Sequence, residues 1–164
     1  MCHLALLSFS DMLLEPNPTN VCFGCGGANT RGMLLRFEQD DSARRIVGNF
    51  RLGAEYQGGS GFIHGGIIAT VLDEVMGKVN RFRGVRAVTA ELHVEYLKPV
   101  RVDEDLIVEA QEVEKSGRNL HHVGEIRNQA GQVLARGRGR FVIIEPRESR
   151  DKNRAEVTGG NQSC

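Results

Sequence analysis

The stretch Gly61-Phe62-Ile63-His64-Gly65-Gly66-Ile67-Ile68-Ala69-Thr70-Val71-Leu72-Asp73-Glu74-Val75-Met76-Gly77-Lys78-Val79-Asn80 decides the fold. It opens in a glycine-rich loop and passes into a segment, Gly66 to Asn80, whose apolar residues recur at helical spacing. Ile68, Leu72, Val75 and Val79 fall on one stripe, and Ile67, Val71 and Met76 widen it. An apolar face that broad belongs to a helix covered on most of its sides.

What covers it is read from the flanks. Downstream, Val88, Ala90, Leu92, Val94 and Tyr96 alternate with Thr89, Glu91, His93 and Glu95, the pattern of a half-buried antiparallel strand. Leu106, Val108 and Ala110 carry the next strand, Ser116-Gly117 turns it, Leu120 to Arg127 returns, Asn128 to Gly131 turns again, and Gln132 to Ile144 is the last strand. Upstream, Met33 to Phe37 and Arg45 to Leu52 read as strands. No helix lies between the late strands, so a parallel βαβ arrangement is excluded. The fold class is α+β, an antiparallel sheet wrapped around one long central helix. Residues 1–20 form an N-terminal arm, a short helix or irregular segment closed by Glu15-Pro16-Asn17-Pro18. The domain spans 21–145, and residues 146–164 are polar and read as a disordered tail.

Composition narrows the function classes. The 164 residues suit one domain with its own core. With 21 basic and 21 acidic side chains the chain has no bulk attraction for nucleic acid or an anionic membrane. Met1 to Leu7 has no basic lead of a secretory signal, and no run approaches the roughly 20 apolar residues of a membrane helix. Of the four cysteines, Cys2 and Cys164 sit at the ends and Cys22 and Cys25 form a CxxC. This is not a disulfide framework, and a reducing cytoplasmic setting is expected.

The chemistry concentrates where loop meets helix. Gly65 and Gly66 allow close backbone approach to a ligand. The free N–H groups of a helix start, with the helix dipole, suit a developing negative charge, as an oxyanion hole requires. A carboxylate further along, Asp73, can serve as general base or nucleophile at a thioester carbonyl. Asp73 sits at the margin of the apolar stripe and Glu74 lies farther round on the opposite flank. His64 and Asp73 are nine residues apart, about 13 Å along a helix at 1.5 Å per residue. Both cannot reach one carbonyl from the same chain. If both serve one reaction, the site is shared between subunits of a homodimer or homotetramer.

The stretch Tyr56-Gln57-Gly58-Gly59-Ser60-Gly61-Phe62-Ile63-His64-Gly65-Gly66, followed by Leu72-Asp73-Glu74, resembles the signature of PaaI-like hotdog-fold acyl-CoA thioesterases. The segments Val88-Thr89-Ala90-Glu91-Leu92 and Tyr96-Leu97-Lys98-Pro99 are similar to the strand after the helix in that family. Cys22-Phe23-Gly24-Cys25-Gly26 through Gly32-Met33 resembles an N-terminal element of one branch. The resemblance covers roughly residues 20–143. It implies the hotdog fold and hydrolysis of an acyl-CoA or acyl-carrier-protein thioester without a cofactor. It implies that Asp73 activates water or attacks the carbonyl, and that the Gly65 and Gly66 N–H groups polarise that carbonyl with His64 beside them. Gln57, the amide nearest the loop position that some relatives use, is a substrate-binding candidate, as are Glu74 and Thr89. Some relatives carry a hydroxyl one turn after the carboxylate, where this chain has Gly77.

Three weaker signals remain. A zinc site needs four ligands, and the CxxC has no second pair, so no metal is expected and the thiols read as packing groups. Arg136, Arg138 and Arg140 alternate with Ala135, Gly137 and Gly139. They read as a solvated face paired with acids such as Glu91 and Glu95, with a coenzyme A phosphate clamp as the rival reading. Arg81, Arg83, Arg86, Lys98 and Arg118 compete for that clamp. His121 and His122 must point to opposite faces of a strand and read as structural. Against hydrolysis stand two alternatives on the same fold, a non-catalytic acyl-CoA binder and an acyl-thioester hydratase or dehydratase.

Overall fold

The computed structural model describes residues 12–146. Cys2, Cys164, the first part of the arm and the tail from residue 147 lie outside the described residues. Seven strands form one antiparallel sheet: β1 (Met12–Leu14), β2 (Phe37–Asp40), β3 (Arg45–Phe50), β4 (Val85–Tyr96), β5 (Leu106–Ser116), β6 (Asn119–Asn128) and β7 (Val133–Pro146). Their order is β1-β2-β3-β5-β6-β7-β4. The helix α1 (Gly65–Val79) packs across β3 to β7 and runs directly into a short 3-10 segment, Asn80–Arg83. This is the expected α+β hotdog arrangement, one long central helix held by an antiparallel sheet.

The stripe expected on α1 is the one buried. Ile68, Val71, Leu72, Val75, Met76 and Val79 meet Ile46, Leu106, Val108, Leu120, Ile126 and Phe141 in one core. The small residues of β7 acquire their reason here. Gly137 pairs with Gly124 across β6 and β7. A Cβ on Gly137 would stand 3.1 Å from Met76 Cε and 3.3 Å from Leu72 Cβ. The sheet is therefore bare under the helix, and the two approach closely while the intervening arginines face out. Arg140 lies 3.3 Å from Glu91 and Arg136 lies 3.5 Å from Glu125, with Glu95 opposite Arg136 in register. That favours the solvated-face reading of the arginine row. His122 is buried with Nδ1 2.9 Å from the Met76 carbonyl, whereas His121 lies on the other side of β6.

Four expectations are corrected. Residues 12–14 of the arm form a strand on β2, not a helix or irregular segment. The strand expected over Met33 to Phe37 begins only at Phe37, because Leu34 takes a left-handed φ of 52° that no strand accommodates. Met33 and Leu35 instead donate to the Phe23 and Gly24 carbonyls at 2.8 and 2.9 Å. In β4 the even alternation breaks at a β-bulge between Thr89 and Glu91. Thr89 pairs with the buried Phe141 and faces the helix, while Val88, expected inside, is half exposed. An extra residue on one strand re-aims the side chains between it and the next irregularity, here at Arg86/Ala87. Pro146, placed by sequence in the tail, is the last residue of β7.

Candidate active site

The loop before α1 is pinned on three sides. Gly58 N–H donates to Phe62 O at 2.9 Å, Ile63 N–H to Val100 O at 2.9 Å and His64 N–H to Tyr56 O at 2.9 Å. The Gln57 side-chain oxygen accepts from Gly61 N–H at 2.9 Å, so that acceptor serves the loop itself.

His64 is the N-cap of α1. Its Nδ1 accepts from Gly66 N–H at 2.9 Å, which places the proton of the neutral imidazole on Nε2. The His64 carbonyl takes the Ile67 and Ile68 N–H groups at 2.9 and 3.2 Å. Of the orphan donors of this helix start, only the Gly65 N–H has no partner among the described residues. The Gly65 carbonyl accepts from the Tyr96 hydroxyl at 2.9 Å, which ties the start of the helix to the end of β4.

Two turns on, Asp73 is half-buried. The Thr89 hydroxyl donates to its Oδ1 at 2.7 Å. Burial raises the Asp73 carboxyl above its ordinary value, the Thr89 hydrogen bond opposes the rise, and the neighbouring Glu74 charge adds to it. The hydroxyl at Asp73 comes from the bulged strand, a partner that helical spacing could not reveal. Glu74 turns the other way. Its Oε1 accepts from the Cys22 thiol at 3.0 Å, and its Oε2 lies 3.7 Å from Lys78 Nζ.

Asp73, Thr89 and Gly77 line a groove of ≈ 520 Å³ together with Cys22, Cys25, Lys78, Arg81 and Arg86. That volume lies within the ~300–1,000 Å³ range of small-molecule sites. Within one chain, His64, Gly65, Gly66 and Gln57 are not in this groove. The unbroken helix separates Gly65 from Asp73 by about 12 Å at 1.5 Å per residue. A second hollow of ≈ 400 Å³ lies on the outer sheet face among Arg45, His93, Glu109, Arg136 and Arg138, remote from Asp73. Strand β4 ends the sheet, and its outer edge has no partner strand among the described residues. Among the described residues no helix is long and apolar enough to cross a membrane.

The family model described as "Thioesterase superfamily" matches residues 60–135. The acyl-coenzyme A thioesterase THEM4 of Mus musculus is 39% identical over 77 residues, which are 47% of this chain and 33% of that protein. The chain thus matches only a third of the length of that relative. The human acyl-coenzyme A thioesterase 13 is 28% identical over 98 residues, 57% of this chain and 69% of that one. Among solved structures, the thioesterase superfamily protein RHA08564 superposes with a TM-score of 0.68 at 31% identity, covering 77% of this chain and 59% of that one. The chain has the hotdog fold and, over residues 60–135, is similar to the thioesterase superfamily.

Proposed function

We propose that the chain hydrolyses an acyl-CoA thioester to a free acid and a thiol, in a homo-oligomer whose sites are shared between subunits. The observation that carries this reading is Asp73, half-buried in the groove with its carboxylate aimed by Thr89. An oriented, partly desolvated carboxylate beside a ligand-sized groove suits a general base or nucleophile. As base, Asp73 takes a proton from water as its oxygen adds to the carbonyl carbon. The oxyanion that forms is held by the Gly65 N–H, joined by the Gly66 N–H where His64 yields it. Collapse breaks the carbon–sulfur bond, and the thiolate leaves and takes up a proton. As nucleophile, Asp73 adds to the carbonyl and expels the thiolate, which takes up a proton, leaving an acyl anhydride that water then opens to the free acid and Asp73. Arg81 and Arg86 at the groove suit the phosphates of a coenzyme A leaving group.

Strand β4 supports the shared site. It touches both halves of the machinery, Thr89 at Asp73 and Tyr96 at Gly65. Its outer edge has no partner strand among the described residues, with Tyr96 57% and Val88 50% exposed. An antiparallel pairing of two β4 edges about a two-fold axis between these positions sets Thr89 of each chain beside the partner's Tyr96. The Gly65 N–H of one subunit then faces the partner's Asp73.

The test is free-thiol release from short, medium, long and aromatic acyl-CoA esters by the wild type and Asp73→Asn. Turnover of at least one ester, lost in a folded variant, supports the assignment. Binding of every ester without thiol release points instead to a carrier or sensor of acyl-CoA. Unchanged turnover by the variant shows that Asp73 is not the catalytic group.

A further inference from the structure

Beside the thioester groove lies a second group of donors that hydrolysis does not use. Cys22 Sγ, Cys25 Sγ and a Glu74 carboxylate oxygen all lie within 4.8 Å of one another. The three come from two remote pieces of chain, the 22–26 loop and the outer flank of α1. The loop is held rigidly, with Gly26 N–H donating to Cys22 O at 3.0 Å and Cys22 N–H to Asn20 Oδ1 at 3.0 Å. Its far side is fastened by the Met33 and Leu35 N–H groups. Glu74 is drawn tight against it: a Cβ on Gly24 would stand 2.4 Å from Glu74 Cγ, so any other residue there would push the carboxylate away from the thiols.

We propose that Cys22, Cys25 and Glu74 bind one thiophilic divalent cation of the Zn²⁺ class, fastening the 22–26 loop to α1. Two sulfurs and one carboxylate oxygen form a donor set that Zn²⁺ accepts. With Zn–S of ~2.3 Å and Zn–O of ~2.0 Å in a tetrahedron, the donors stand ~3.3–3.8 Å apart, so a donor pair at the 4.8 Å limit closes by about 1 Å while the Cys22 Sγ–Glu74 Oε1 pair, at 3.0 Å, opens slightly. Cys22 is only partly buried and the donors line the groove, which supplies an entry path and room for a water as fourth ligand. The cluster already draws a positive charge. Lys78 Nζ lies 2.8 Å from Cys25 Sγ and 3.7 Å from Glu74 Oε2. Its flexible side chain, still partly exposed, can withdraw when a metal takes over that charge. The expectation from sequence that no metal binds counted cysteines and histidines; the third donor comes from a residue 52 positions from Cys22 and could not be paired with it by spacing.

The proposal does not depend on thioester hydrolysis, because its readout is metal binding. The full chain, reduced and stripped with chelator, is titrated with Co²⁺ without oxygen. The expected result is one equivalent bound, with thiolate-to-cobalt charge-transfer bands and the visible bands of tetrahedral cobalt, displaced by Zn²⁺. Cys22→Ser and Cys25→Ser each reduce the charge-transfer bands to half or less, and the double variant abolishes them. Glu74→Gln keeps them but weakens binding by at least roughly tenfold, and Lys78→Met tightens it by removing the competing ammonium. X-ray absorption of the zinc-loaded wild type counts two sulfurs without any variant, which covers the case where a cysteine variant does not fold. Bands of undiminished intensity in both serine variants, fewer than two sulfurs at the metal, or Glu74→Gln at wild-type affinity would each overturn the site.

Discussion

Gly65→Pro isolates the proposed oxyanion donor with little disturbance of the fold. Gly65 is the first residue of α1, where proline is tolerated because its φ is already helical and the N–H it lacks is an orphan. The preceding His64 has φ −61° and ψ 136°, the extended conformation that a following proline demands. The Gly65 N–H has no partner among the described residues, so no internal hydrogen bond is lost. The unfolded chain loses freedom, worth about 0.4–1 kcal/mol in favour of the native state. Stability should therefore be unchanged or slightly higher. Catalysis should not survive, since loss of one oxyanion donor costs about 2.7–4 kcal/mol in the transition state, or roughly 10²–10³ in kcat. Gly65→Ala is the control. It keeps the N–H and places a Cβ at an ordinary 3.5 Å from the Tyr96 ring. Thiol release is measured for both variants beside thermal unfolding. If Gly65→Pro melts like the wild type and turns over within threefold of Gly65→Ala, the Gly65 N–H does not stabilise the transition state.

Four further outcomes follow from the same geometry. Thr89→Val removes the hydrogen bond to Asp73. For this partly exposed pair a loss of about 1–2 kcal/mol, or roughly 5- to 30-fold in kcat, is expected. The acidic limb of its pH–rate profile should move up, because the bond lowers the Asp73 pKa, while Thr89→Ser restores both. Co-assembled Asp73→Asn and Gly65→Pro chains should regain about a quarter of wild-type activity, since half the dimers are mixed and each holds one intact site of two; no recovery above the parents would place both residues in one chain's site. His122 is held neutral by burial, and the unfolded chain takes up its proton near pH ~6.5. Stability is complete above that value and declines as pH falls below it, seen as a lower denaturation midpoint at pH 5.5 than at 7.5, and His122→Gln should flatten the difference. Met76→Ala, at the contact of α1 with Gly124 and Gly137, should cost about 2–5 kcal/mol in urea unfolding, with a much smaller loss meaning that helix and sheet collapse into the gap.

The fold was legible wherever a period repeats without interruption. The wide stripe of α1 and the alternation of β5, β6 and β7 each specify one buried face, and turns at Gly117 and Gly131 separate the strands. Legibility failed where single residues break the period. Leu34 carries no mark of its left-handed backbone, so the sequence pattern starts the strand at Met33 when it begins at Phe37. The bulge at Ala90 leaves the pattern of β4 looking regular while turning Thr89 inward. The glycines of β7 were visible, but their use against Met76 needs the helix in place.

The site divides along the same line. The Gly65-Gly66 start and a carboxylate two turns on are local, and helical geometry alone separates them by more than a catalytic contact. Which carboxylate serves the groove is not a local matter. Asp73 and Glu74 are neighbours in sequence, yet about 100° of helical rotation sends them to different partners. Asp73 meets Thr89, 16 residues on, while Glu74 meets Cys22, 52 residues back. The wheel shows only that one flank borders the apolar stripe more closely than the other. The partners that give each acid a distinct environment arrive from a bulged strand and an N-terminal loop. The two acids therefore support two separable experiments: replacement of Asp73 should be read in turnover, and replacement of Glu74 in the attachment of the cysteine loop.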